Sequence, residues 1–109
     1  CVFQPHLYNR TKYLFDDFAQ AFRNADILVL ADIYAARETD PGDISSRLLA
    51  EETKKYHSDV RYIGGLEQIK EHLLTATRPG DLVITMGAGD VYKVGEDFLE
   101  AKLESLKSR

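Results

Sequence analysis

The chain carries a single cysteine among its 109 residues, and it stands at position 1. No internal disulfide can form, no metal site can be built from thiolates, and a reducing compartment is expected rather than secretion. No apolar run approaches the roughly 20 residues needed to cross a bilayer, and the first residues lack the basic-then-apolar order of a signal peptide, so the expected location is cytoplasmic. There is no surplus of positive charge either: 14 Lys and Arg against 18 Asp and Glu leave a net charge of -4. With no basic tract and no basic helix face, neither nucleic acid nor an acidic membrane is an expected partner.

Several catalytic patterns are missing too. No Gly-Lys-Ser or Gly-Lys-Thr follows a glycine-rich turn at phosphate-loop spacing, and Gly87-Ala88-Gly89-Asp90 does not complete a dinucleotide fingerprint. No serine sits in a nucleophile elbow and Cys1 begins a strand, so covalent catalysis has no candidate. His57 and His72 have no partners spaced for a metal and are expected at the surface. No repeat or low-complexity tract interrupts the chain.

What is present is a composition 44% hydrophobic and 29% charged, which suits one domain spanning residues 1–109. Because the chain starts directly in an apolar strand without a methionine, it is expected to be a piece of something longer. Cys1-Val2-Phe3 reads as a first strand. Leu14, Phe15, Phe18, Ala19, Phe22 and Ala25 mark one helical face, and Ile27-Leu28-Val29-Leu30-Ala31 is a continuous apolar run of the kind a strand covered on both faces needs. Ile44, Leu48, Leu49 and Tyr56 predict a second helix capped by Asp43 or Ser45. Val60-Arg61-Tyr62-Ile63 predicts a third strand, and Leu66, Ile69, Leu73 and Leu74 a third helix. Leu82-Val83-Ile84-Thr85-Met86 predicts a fourth strand. Val91, Val94, Phe98, Leu99, Leu103 and Leu106 then predict a final helix with a Lys- and Arg-rich end. This fourfold alternation predicts a Rossmann-like, doubly wound α/β fold, with a mainly parallel sheet and helices on both faces. In the strand order 3-2-1-4, the loops after strands 1 and 4 flank the switch point where ligands bind.

The stretch Phe3-Gln4-Pro5-His6-Leu7-Tyr8-Asn9-Arg10-Thr11 joins the first strand to its helix. Pro5 should end the strand and Asn9 should cap the helix. Arg10 and Lys12 would then lie in the first turn, against the helix dipole, which favours an anionic ligand there. His6 is a candidate for bonding a substrate carboxylate, phosphate or amine; the alternative is a histidine tying the turn to a backbone carbonyl. Arg10 offers a planar fork for carboxylate or phosphate, or else pairs with Asp16 or Asp17 in solvent. Tyr34, in the loop over residues 32–43, either stacks on a ring or covers the sheet edge. Asp32 and Glu38 on the same loop read as solvated acids before amine ligands. Gly87, Ala88 and Gly89 allow close backbone approach to a phosphate, a weak signal alone.

Taken together, Phe3-Gln4-Pro5-His6, Tyr8-x-Arg10-Thr11, Asp32-Ile33-Tyr34-Ala35-Ala36-x-Glu38 and Gly87-Ala88-Gly89-Asp90 resemble the carboxyl-terminal domain of the Mur ligases, in order and over nearly the whole chain. The pattern is nearest to the members that join L-alanine to UDP-N-acetylmuramate. The resemblance implies an ATP- and Mg2+-dependent ligase of peptidoglycan precursor synthesis, working through an acyl phosphate. It implies upstream Mur ligase domains that hold the sugar nucleotide, the phosphate loop and most metal ligands, with this part closing over the site. By position it assigns His6, Arg10 and Tyr34 to the substrate side, and Gly87 and Gly89 to the glycine turn. The chain departs from many members at Leu7, where they have arginine, and at Arg37, where they have glycine. A different class of function, a non-catalytic nucleotide- or anion-binding α/β module, would use the same junction and glycine turn alone.

Overall fold

The computed structural model of the chain describes residues 1–107; Arg109, placed by sequence in the basic end of the last helix, lies outside them. The elements run β1 (Val2–Phe3), α1 (Tyr8–Tyr13), α2 (Phe15–Gln20), β2 (Leu28–Ala31), α3 (Ser46–Thr53), β3 (Val60–Gly64), α4 (Leu66–Ala76), β4 (Thr85–Met86) and α5 (Tyr92–Lys107). The four strands form one parallel sheet in the order β3-β2-β1-β4. Val2 is registered with Val29 on one side and Thr85 on the other, so β1 is interior and its loop emerges at the switch point.

Both faces of the sheet are covered, which is why β2 needs apolar residues at four consecutive positions. On one face Phe3, Leu28 and Leu30 pack with Ala19, Phe22, Leu49 and Ala50 from the α2 and α3 side. On the other, Val2, Val29 and Ala31 pack with Ile69, Leu73, Val91 and Val94. Phe3 meets the rings of Phe18 and Phe22 at centroid distances of 5.2 and 4.8 Å, the first edge-on.

Four expectations need correction. The helix predicted after the first strand is two six-residue helices that divide at Leu14, whose N–H still donates to Arg10 O at 2.9 Å. Of the predicted α3 face, Ile44 and Leu49 are buried, but Leu48 and Tyr56 are exposed. Ser45 is the cap, as one of the two candidates required, and the buried residues are Ser46, Leu49, Ala50 and Thr53. Ser46 and Thr53 tolerate burial because their hydroxyls donate to Ala31 O at 2.5 Å and Leu49 O at 2.7 Å. The fourth strand shrinks to two residues, since β4 pairs only with β1 and Leu82 is left 82% exposed. Along α5 only Val94 is buried, and Leu99, Leu103 and Leu106 face outward.

The two histidines read as surface residues are half-buried and engaged. His57 Nδ1 accepts the Asp59 N–H at 3.0 Å and its Nε2 meets Ala25 O at 2.5 Å. His72 Nε2 lies 3.0 Å from Arg61, whose guanidinium also forks onto both oxygens of Asp59 at 2.9 Å.

Candidate functional site at the carboxyl ends of β1, β2 and β4

Pro5 ends β1 as its chemistry requires, and its carbonyl accepts the Tyr34 N–H at 2.9 Å. The Leu7 N–H then donates to Tyr34 O at 2.9 Å, so the loops beyond β1 and β2 pair as an isolated parallel bridge between His6 and Tyr34. That bridge sets the two side chains face to face: the imidazole and phenol rings lie 5.6 Å apart and within 14° of parallel. Arg10, one helical turn along α1, brings NH1 to 3.5 Å from His6 Nδ1. A guanidinium only donates, so Arg10 can bond His6 Nδ1 only where that nitrogen carries no proton. Neither bland alternative is found: among the described residues His6 bonds no backbone carbonyl, and Arg10 makes no ion pair with Asp16 or Asp17.

The glycine turn belongs to the same place. A Cβ on Gly89 would sit 2.5 Å from Tyr34 Cγ and 2.8 Å from Gln4 Oε1; one on Gly87 would sit 2.9 Å from Val91 Cγ1 and 3.0 Å from Gln4 O. The absent side chains are thus required by protein against protein, before any ligand. Gln4 Nε2 fastens the turn by donating to Asp90 Oδ1 at 2.8 Å, while Gln4 Oε1 is buried with no hydrogen-bond partner among the described residues. Tyr34 thus touches both parts of the site: its ring stacks on His6 and crowds the Cβ position of Gly89.

The argument from helix charge does not survive. Leu7, not Asn9, occupies the cap position of α1, and no side chain of that residue caps it. In a helix of only six residues Arg10 and Lys12 fall in the last turn, where cations suit the dipole, and Lys12 pairs with Asp43 at 2.7 Å. The first N–H of α1, from Tyr8, donates to the carboxylate of Glu38. The place where an anion was expected is filled by the protein's own acid. Asp32 is engaged as well: it accepts the Tyr62 hydroxyl at 2.5 Å, and this bond, ahead of burial, raises the Tyr62 phenol above its ordinary value. Arg47 lies 5.6 Å over the Tyr62 ring.

Sequence reasoning missed Gln4 as the fastening of the glycine turn, though a lone amide between two buried apolar residues and a proline was a usable signal. It also missed Tyr62 as the partner of Asp32, for which no local signal exists. Among the described residues no three His, Cys, Asp or Glu are grouped to hold a metal ion, and no helix is long and apolar enough to cross a membrane.

The comparisons with known proteins converge on one family. Residues 1–89 match the family described as Mur ligase, glutamate ligase domain. The chain is 54% identical over 101 residues to a protein of Acetivibrio thermocellus, 56% over 102 to one of Clostridium novyi and 57% over 99 to one of Lachnospira eligens. Each of the three is named UDP-N-acetylmuramate--L-alanine ligase; the matches cover 93%, 94% and 91% of this chain but 22% of each relative.

Proposed function

The chain belongs to the Mur ligase family through its glutamate ligase domain, and from that premise we propose that it is the substrate-closing domain of an ATP-dependent ligase joining L-alanine to UDP-N-acetylmuramate. Residues 1–109 would form one domain of the cytoplasmic enzyme, a step in peptidoglycan precursor synthesis. The observation that carries the reading is the His6–Tyr34 stack with an Arg10 guanidinium beside it that pairs with no carboxylate among the described residues.

In this reading ATP supplies the phosphoryl group that converts the sugar-nucleotide carboxylate to an acyl phosphate. Arg10 binds an anionic oxygen, of the L-alanine carboxylate or of the phosphate, with its planar fork. His6 presents Nε2–H to a second oxygen, and Tyr34 supplies a flat wall that fixes the imidazole plane. The exposed backbone of Gly87 and Ala88, with Gly89 behind it, lines the phosphate side. Closure of the domain over its companions excludes water, which would otherwise consume the acyl phosphate. Mg2+ finds no fitting cluster among the described residues, so no step here runs through it.

The test is alanine-dependent phosphate release by the full-length protein. His6→Ala and Arg10→Ala should each lower kcat/KM for L-alanine at least about tenfold, or about 1.4 kcal/mol of barrier. Unchanged turnover in both variants overturns the reading. Tight binding of ATP or L-alanine by the 109-residue chain alone would favour a free-standing binding module instead.

A further inference from the structure

Glu38 reads in sequence as a solvated loop acid, yet its Oε1 accepts the N–H that opens α1, across 30 residues. A six-residue helix with no side-chain cap of its own does not hold its orientation by local forces. Around this contact the backbone is under strain. Leu7 (φ 69°) and Ala36 (φ 54°) are the two non-glycine residues with positive φ among those described, and both belong to this junction. Such conformations persist where surrounding bonds over-determine them. The bonds here are Tyr34 N–H to Pro5 O, Leu7 N–H to Tyr34 O, and the Thr11 N–H and hydroxyl to Leu7 O at 3.1 and 2.7 Å. These ties hold Leu7 and the bridge; among the described residues the Glu38 carboxylate is the group that reaches from the β2 loop to the amino end of α1, while Lys12, later in the helix, pairs with Asp43 of the same loop at 2.7 Å. Arg10 stands two residues beyond Tyr8. Ala36 supplies the turn that brings Glu38 back: the Glu38 N–H donates to Ala35 O at 2.9 Å.

We propose that Glu38 is a positioning residue: its carboxylate anchors the amino end of α1 and thereby sets Arg10 against the His6–Tyr34 stack. Its functional consequence rests on the reading of Arg10 as a substrate contact. Glu38 therefore serves substrate binding without touching substrate, and is not an acceptor for the incoming amine.

Residue-resolved hydrogen exchange and steady-state kinetics on the full-length protein test this with Glu38→Ala and Glu38→Gln, the second keeping an acceptor oxygen in place. The Tyr8 amide should exchange about tenfold faster in E38A, as expected for loss of a charge-assisted bond, and E38Q should recover most of that protection. E38A should raise KM for L-alanine about tenfold with little change in KM for ATP, and E38Q should restore it. A Tyr8 amide indifferent to both substitutions overturns the proposal. So does an unchanged KM for L-alanine in E38A when Arg10→Ala is crippled. If Tyr8 responds while Arg10→Ala is also silent, the anchor stands and the ligase reading of the site is what fails.

Discussion

The junction beyond β1 and β2 and the flank formed by β4 and α5 lie on either side of the same central strand, and they are stabilised in opposite ways. At the junction, short helices and strained loops are fixed by polar contacts from distant parts of the chain: Tyr34 to Pro5, Leu7 to Tyr34, Glu38 to Tyr8. At the flank, α5 is 16 residues of regular helix that needs no such help, yet Leu99, Leu103 and Leu106 along it, and Leu82 before β4, are exposed. Regularity and burial are therefore separate properties. The residues proposed for the site lie where local structure is weak and long-range bonds set side chains from two loops against each other.

Substitutions can break or sharpen this contrast. The largest effect is expected in the core beneath the junction: Leu30→Ala, at a fully buried residue of β2 packed toward α2 and α3, should cost about 2–5 kcal/mol in urea unfolding. Next, Gly89→Ala should cost about 1–3 kcal/mol, because its methyl must displace the Tyr34 ring and Gln4 amide; if it does not, the junction is softer than the contacts imply.

A smaller effect is expected from Tyr62→Phe, and only in alkali. The Tyr62 phenol is raised chiefly by its bond to Asp32, so the fold favours the protonated form. Its contribution is complete below about pH 10, the unfolded value, and is lost as pH rises through the folded value. Stability of Tyr62→Phe measured against pH should lack that alkaline decline. The smallest effect belongs to the flank. Leu103→Ser, at a residue 56% exposed, should change stability of the chain by no more than about 0.5 kcal/mol. A loss of 2 kcal/mol or so there would show that the stripe is covered in solution and would erase the contrast.

Much of the fold was legible because it rests on local period. The buried run at residues 27–31, the helical spacing of Leu66, Ile69 and Leu73, and the stop at Pro5 each constrain only their neighbours, and the parallel sheet follows from their alternation; the 3-2-1-4 order entered the sequence reading only as a condition, and it is the order the folded sheet has. His6, Arg10 and Tyr34 could be singled out because they follow strand ends. The errors came where period and exposure part company, as at Leu48 and Leu103, or where a cap was sought nearby, as at Asn9.

The sequence by itself determined that strands and helices alternate, that the sheet is parallel and covered on both faces, and that cationic and aromatic groups stand at strand ends. Only the tertiary structure decided that Glu38 occupies the amino end of α1, that Gly89 is bare for the sake of Tyr34, and that α5 keeps its leucines outside. The reason is range. Hydrophobic period is written into residues a few positions apart, whereas a hydrogen bond across 30 residues or a clash with a ring from another loop exists only once the chain has folded.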